Sequence, residues 1–403
     1  MTNKQRVQAV LEGKPVDRCP VTSLYNFLYQ QDHFSELTGL PPWRMQQWLA
    51  MSPEGHLELY ARMQAAAPFE ILQPQHTAPA RAWRMRQEFV EKDGHAFRHD
   101  RATDEWAQLD VPASSGHATD YHANETRHVF TRADVKAHVT VTPAAQQLAD
   151  GANDYVDAAV TRFGKDEFIL SGGVIGTLYS CHWHVGLTNL FACLIEEPDL
   201  IEDLSERILA QNLENIRRFA AAGGDAIYID DATATCDMIS PAMYERFSLP
   251  YLQAMVREIH RLGHTAILIY FGGVMDRLEQ IAATGADGLS YEASMKGYVN
   301  DTAEIARRIG DRMALFSNVD PVAVLQNGTD ADLEAEIRRQ VAAGAPARGF
   351  ILSTASPITP ATPLARVRRF LEMGRRLGGK SCGRVARFGR VRNDPQITQT
   401  TAD

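Results

Sequence analysis

The chain is predicted to be an α/β protein wound as a single closed (β/α)8 barrel, with an N-terminal helical lead and a β-hairpin insertion. Three observations predict this. Eight short apolar segments rich in β-branched residues recur along 403 residues, most followed by a helical pattern. Several of those helical patterns end in Gly, which accepts the left-handed conformation that closes a helix. The repeated order of strand, polar loop, helix and Gly describes a parallel sheet, and eight such units describe a barrel.

In chain order the segments are Cys19–Ser23, Glu70–Gln73, Glu167–Ser171, Ala226–Asp230, Thr265–Phe271, Asp287–Tyr291, Met313–Ser317 and Gly349–Ser353. The last five are the clearest. Gly closes the preceding helix in Ala-Ala-Gly-Gly-Asp225, Arg-Leu-Gly263, Ala-Thr-Gly-Ala-Asp287 and Ala-Ala-Gly344. The interval between the second and third segments, about 74–166, is too long for one crossover and reads as an insertion. Within it, Trp83–Val90 and Ala96–Asp100 flank Lys92-Asp93-Gly94, a hairpin signal, and a helical pattern runs from Pro143 to Phe163. The barrel is expected over 1–377, and 378–403 reads as a mobile basic and polar tail.

Bulk composition narrows the function. A net charge of −9 and a pI of about 5.8 argue against a nucleic-acid partner, which needs a basic face. No run of apolar residues is long enough for a bilayer span, and Met1–Val16 lacks the apolar core of a signal peptide. Cys19, Cys181, Cys193, Cys236 and Cys382 form no CxxC pair and read as mostly reduced thiols of a cytoplasmic enzyme.

The fourth segment, Ala226-Ile-Tyr-Ile-Asp230-Asp231, ends on two adjacent carboxylates, and a helix opens soon after with Ser240 as N-cap and Pro241 at its first position. Carboxyl ends of barrel strands face the active site. Two acids together there are costly unless they hold a cation, share a proton or serve a reaction. Strand residues alternate faces, so one of the two points into the mouth and the other caps the following helix or turn. Tyr270 at the end of the fifth strand and Glu292 at the end of the sixth complete a candidate proton-transfer set. Expected substrate contacts are Tyr25 and Asn26 after the first strand, Gln73, Gln75 and His76 after the second, Tyr179 and His182 after the third, and Asn318 and Ser353. Gly172, Gly173 and Gly176 would let the backbone approach a ligand. Cys181, His182 and His184 offer a metal-ligand set; a hydrogen-bonding aromatic wall is the alternative. His99-Asp100-Arg101 belongs to a lid or a solvated edge.

From about Arg6 to Leu377 the chain resembles the uroporphyrinogen decarboxylase superfamily. The resemblance rests on Lys4 to Pro20, Gly224 to Asp231, Met238 to Tyr251, Asn318-Val-Asp-Pro321 with Leu325 to Thr329, and Gly349 to Ser353 with Thr359 to Pro363. It implies a TIM-like barrel with its site at the carboxyl face. It also implies one of two chemistries: metal-free decarboxylation of uroporphyrinogen, or methyl transfer between a small methylated substrate or thiol and a corrinoid on a partner protein. Methyltransferases of this kind bind zinc through His-x-Cys after the fifth strand and a Cys after the eighth. Here those positions read Ile269, Phe271 and Ser356, and the Arg-rich N-terminal signature of the decarboxylases is replaced by Val21 to Leu28, with no Arg. The expected function is methyl transfer from a small methylated or aromatic substrate to a corrinoid acceptor, with Asp230 or Asp231, Tyr270 and Glu292 protonating the leaving heteroatom. A metal-free decarboxylase of a small carboxylate and a non-catalytic ligand-binding barrel are the alternatives. A homodimer is the expected assembly.

Overall fold

The structure, a computed structural model, describes residues 1–109, 126–294 and 297–379. The expectations for Cys382 and for the tail beyond residue 379 lie outside the described residues. Among the described residues there are eleven strands: β1 Val21–Thr22, β2 Ile71–Leu72, β3 Gln87–Lys92, β4 His95–Asp100, β5 Glu105–Gln108, β6 Phe168–Ile175, β7 Ala226–Asp230, β8 Thr265–Ile269, β9 Gly288–Ser290, β10 Ala314–Phe316 and β11 Phe350–Ser353. Eight form one parallel sheet in the order β1-β11-β10-β9-β8-β7-β6-β2. Each coincides with one of the eight apolar segments, so this is the (β/α)8 barrel expected. β7 matches its segment end to end, β6 runs on to Ile175, and the other six are shorter than their segments.

The sheet closes between β1 and β2 through one backbone bond, Glu70 N–H to Val21 O at 3.2 Å. The Glu70 side chain reinforces this seam. It is fully buried and accepts from Arg18 at 2.7 and 2.9 Å, from Arg375 at 2.8 Å and from the Val21 amide at 3.2 Å. A buried carboxylate is tolerated only when hydrogen-bonded and paired in this way.

Alternation along each strand divides the apolar residues into two cores. The lumen is filled by Ile71, Phe168, Leu170, Ala226, Tyr228, Ile267, Ile269, Ala314, Phe316 and Ile351. Its lower end is plugged by the helix Asn3–Leu11, which presents Val7, Val10 and Leu11 and is held by a Thr2–Gln5 capping box. Residues of the other parity, such as Ile227, Ile229, Leu268, Leu289 and Leu352, pack against the surrounding helices. The lumen is therefore a packed core, and the side chains at the carboxyl ends of the strands are the ones placed to meet a ligand.

Between β2 and β6 the chain builds an antiparallel sheet, β3-β4-β5. Its first turn has Asp93 and Gly94 both at positive φ, 54° and 75°, the geometry that Asp-Gly favours between paired strands. The helical pattern Pro143–Phe163 proves to be two helices, Ala144–Ala149 and Asp154–Phe163, parted at Gly151 with φ 84°. Gly344 ends its helix, Asp330–Gly344, as expected, but without a positive φ; a side chain there would meet the Phe350 ring at 2.1 Å. Cys181, Cys193 and Cys236 are free, in keeping with mostly reduced thiols, and Cys19 is disulfide-bonded. Among the described residues no helix is long and apolar enough to cross a membrane.

Candidate active site at the barrel mouth

The site follows from parity along β7. Tyr228 and Asp230 share the inward face, and Asp231 turns outward toward the helical layer. Only Asp230 therefore reaches the mouth. It is 6% exposed and accepts a hydrogen bond from the Tyr25 hydroxyl at 2.6 Å. Its other oxygen, Oδ1, has no hydrogen-bond partner among the described residues. Burial disfavours the charged form, so Asp230 is pushed up to about 7, although the Tyr25 hydroxyl and the Ala232 backbone amide pull the other way.

Aromatic rings form the walls. Tyr25 meets Phe27 at 5.4 Å, Tyr228 at 5.6 Å and Phe271 at 5.4 Å between ring centroids. Tyr25 has a positive φ (57°), a conformation that a bulky side chain rarely adopts. The three rings and the bond to Asp230 hold it there. Gly173 makes room for Tyr228: a Cβ would stand 2.1 Å from that ring. Gly172 does the same for Phe219, also at 2.1 Å. The close approach expected of a ligand at these two glycines is thus made by the protein's own rings.

Asp231 is 1% exposed and accepts from the Ser248 hydroxyl through Oδ2, while its Oδ1 has no partner among the described residues. Burial, and secondarily the charge of Asp230, pushes it up to about 7 as well. The peptide joining the two acids is clamped on both sides. Gly176 N–H donates to Asp230 O at 2.6 Å, and Asp231 N–H donates to Ile269 O at 3.0 Å.

The remaining expected site residues divide sharply. His76 joins the mouth: its Nε2 lies 3.4 Å from the Tyr228 hydroxyl, and burial, aided by Arg218, pulls it down to about 4. Glu292 follows β9 and accepts from Tyr298 at 3.2 Å. Tyr179 stacks on His182, with centroids 4.6 Å apart, on the helix Thr177–Val185. Tyr270 is a correction. It points outward, where its hydroxyl meets that of Tyr244 at 2.7 Å in the buried helical layer. Asn26 is tied to Ser23 O and Ile71 O, and Gln73 accepts from its amide. Asn318 bridges Glu292 O, Asn300 O, Thr302 and Gln340. Ser353 donates to Thr354 O. These three hold loops together rather than face a ligand.

The metal-ligand set is also corrected. Cys181 packs in the core against Ser205 at 3.5 Å, burial pushes its thiol up to about 12, and no group of three His, Cys, Asp or Glu gathers among the described residues. Of the resemblance's zinc positions, Ile269 is lumen core, Phe271 meets Tyr25 edge to face, and Ser356 donates to Leu24 O at 3.0 Å. Sequence reasoning missed Tyr228, Phe27 and Ser248. Tyr228 was findable, because it lies two residues before Asp230 and so shares its face. Phe27 and Ser248 carry no such signal.

Comparison with known proteins agrees with this architecture. A solved methyltransferase from Methanosarcina mazei has the same fold, with a TM-score of 0.66 at 20% identity, covering 93% of this chain and 98% of that one. A methylcobamide:CoM methyltransferase of Methanosarcina mazei is 28% identical over 213 residues, 52% of this chain and 59% of the relative. A uroporphyrinogen decarboxylase of Tolumonas auensis is 31% identical over 182 residues, 44% of this chain and 49% of the relative. The chain thus matches about half the length of these curated relatives. The uroporphyrinogen decarboxylase (URO-D) family pattern matches residues 96–377, most of the barrel, and the chain belongs to that family.

Proposed function

We propose that the chain is a methyltransferase-like enzyme that takes a methyl group from a small methylated substrate and passes it to a corrinoid carried on a partner protein. The observation that supports this reading best is Asp230: a buried acid pushed up to about 7, joined to Tyr25 and walled by aromatic rings. A methyl group leaves a heteroatom more readily when that atom is protonated as the bond breaks. An acid that keeps its proton near neutral pH is suited to the task. The aromatic walls exclude water and suit a small apolar or aromatic donor. Tyr25 orients the carboxyl, and His76 and Tyr228 line the floor beside it.

The corrinoid would supply the methyl-accepting centre when its carrier docks. The loops after β7 and β9 carry Met238 and Val299, 45% and 67% exposed, on the face where a carrier would meet the mouth. Zinc does not fit the positions that the resemblance assigns to it, since Ile269 and Phe271 carry no donor atom and Ser356 is engaged with Leu24. Thiol activation by zinc at those positions therefore has no place in the proposal.

Decarboxylation is the second reading, supported by the relatives of that name at similar identity. Asp230 could then stabilise a cationic intermediate. A substrate with many carboxylates finds little to bind here. Arg218 donates to His76 O, Asn153 and Thr77, and Arg277 donates to Ala234 O, Ile239 O and Asp276.

The test is to supply O-, N- and S-methyl donors together with a corrinoid carrier protein and to follow methyl-corrinoid formation by its visible spectrum. Turnover with one donor class, reduced about 100-fold or more by Asp230→Asn, is the expected result. Carbon dioxide release from a carboxylate without any corrinoid would replace this reading with the second.

A further inference from the structure

We propose that the cleft between the helices Pro53–Ala66 and Asp154–Phe163 and the strand β3 is a second binding site, built for a small organic acid with an apolar body. The cleft holds a cavity of about 520 Å³. Small-molecule sites run from roughly 300 to 1,000 Å³. Pro53–Ala66 leads to β2 and Asp154–Phe163 leads to β6, so both helices start on the side where the barrel strands end. The cavity therefore lies at the level of the mouth but outside the ring of strands. None of its lining residues belongs to the mouth.

Charge decides what the cavity takes. Arg81, Arg84 and Asp154 are the charged residues of its lining. Asp154 serves both guanidiniums: it accepts from Arg81 at 2.7 and 3.1 Å, and from Arg84 Nη2. One carboxylate against two guanidiniums leaves a net positive charge, in a chain whose overall charge is −9. Arg44, over the Trp43 ring at 4.7 Å, donates to Gln47 of the lining and brings a third guanidinium to the rim. Arg84 is the residue best placed to hold a ligand. Its side chain is 5% exposed, and it is fixed by Pro79 O at 2.8 Å and by the Tyr155 ring at 5.1 Å. Its Nη1 takes no hydrogen-bond partner among the described residues. Buried polar groups are normally satisfied, and a guanidinium fork matches a carboxylate or a phosphate. Much of the remaining wall is apolar. Alternation along β3 turns Phe89 toward the cavity and Glu88 toward His99, and Met51, Pro53 and Met85 extend the apolar surface. That surface suits a hydrocarbon or aromatic body attached to the acid group.

The test is calorimetric titration of the full chain at low ionic strength with benzoate, phenyl phosphate, neutral benzamide and inorganic phosphate. At least one of the two aromatic acids is expected to bind one to one, about tenfold or more tightly than benzamide and inorganic phosphate. The tighter of the two tells carboxylate from phosphate recognition. Arg84→Met should weaken acid binding by about tenfold or more, because a charge-assisted donor is lost. Should that variant fail to fold, Met85→Glu puts a negative charge on a side chain that is 71% exposed and should weaken acid binding by about the same factor. No saturable binding of either acid up to about 10 mM overturns the proposal. So does a neutral or a bodiless probe that binds as tightly as the aromatic acids. Acid binding unchanged by Arg84→Met, or by Met85→Glu where it stands in, overturns it equally. The readout involves neither Asp230 nor a methyl donor, so its outcome is independent of the proposed function.

Discussion

Replacing Asp230 by Asn should stabilise the protein, and increasingly so as pH rises. An aspartate that titrates at 3.8 when unfolded and at about 7 when folded prefers to fold protonated. Its contribution is fully present below the unfolded value and is lost as pH rises through the folded one. Asn keeps the shape and an oxygen to accept from Tyr25, but cannot ionise. Each tenfold difference in proton affinity between the folded and unfolded chain is worth about 1.4 kcal/mol. On that basis Asp230→Asn should gain about 1 kcal/mol over the parent near pH 4.5 and about 4 kcal/mol near pH 8.5. Asp231 titrates in the same range, and without the Asp230 charge it ionises more easily, which adds to the alkaline gain. Salt-bridged groups such as Glu258, held at about 2 by Arg261 and Arg217, are ionised throughout the window. Urea unfolding of both proteins at the two pH values measures the difference. Equal stability at both, or an advantage that shrinks toward alkaline pH, would refute a buried, proton-holding Asp230.

Four further outcomes are expected. Tyr25→Phe removes the donor that favours ionised Asp230, so the infrared carboxyl band of Asp230 should persist to higher pH than in the parent. Gly176→Ala places a methyl 2.5 Å from Asp231 Oδ1 and 3.2 Å from Asp230 O; thermal unfolding should show a loss of about 1–3 kcal/mol. Tyr270→Phe leaves the buried Tyr244 hydroxyl without its 2.7 Å partner and should cost about 1 kcal/mol in urea unfolding. Arg277→Met breaks the contacts that anchor the loop after β7; a loss of about 2–4 kcal/mol and faster proteolysis near Ala234 are expected.

What can be read from the sequence follows the range of each physical signal. The eight barrel strands are legible because strand, loop and helix repeat locally, and Gly223, Gly263 and Gly285 sit at positive φ where helices close. Asp230 is legible for the same reason, since an acid ending an apolar run marks a strand's carboxyl end. Tyr270 misleads because it lies at a strand's carboxyl end yet stands between Ile269 and Phe271, which face inward, so alternation turns it toward the helices. Asn318, Asn26 and Ser353 mislead because a polar residue at a strand end can equally satisfy the backbone of a neighbouring loop. Only the fold brings Asn318 to Glu292 O, 26 residues away in sequence.

The same parity argument joins the missing zinc positions to the surviving acid. Ile269 lines the lumen, and Phe271, two residues on, meets Tyr25 edge to face. Apolar side chains at these two places lower the polarity beside Asp230, and lower polarity raises a carboxyl's proton affinity. Restoring a donor there should therefore act on the acid even without metal. Phe271→His would bring a polar ring beside Tyr25, and the Asp230 carboxyl band should then titrate at lower pH than in the parent. If the band does not move, the aromatic wall is not what holds the proton, and the desolvation that pushes Asp230 up must come from β6 and β7 instead.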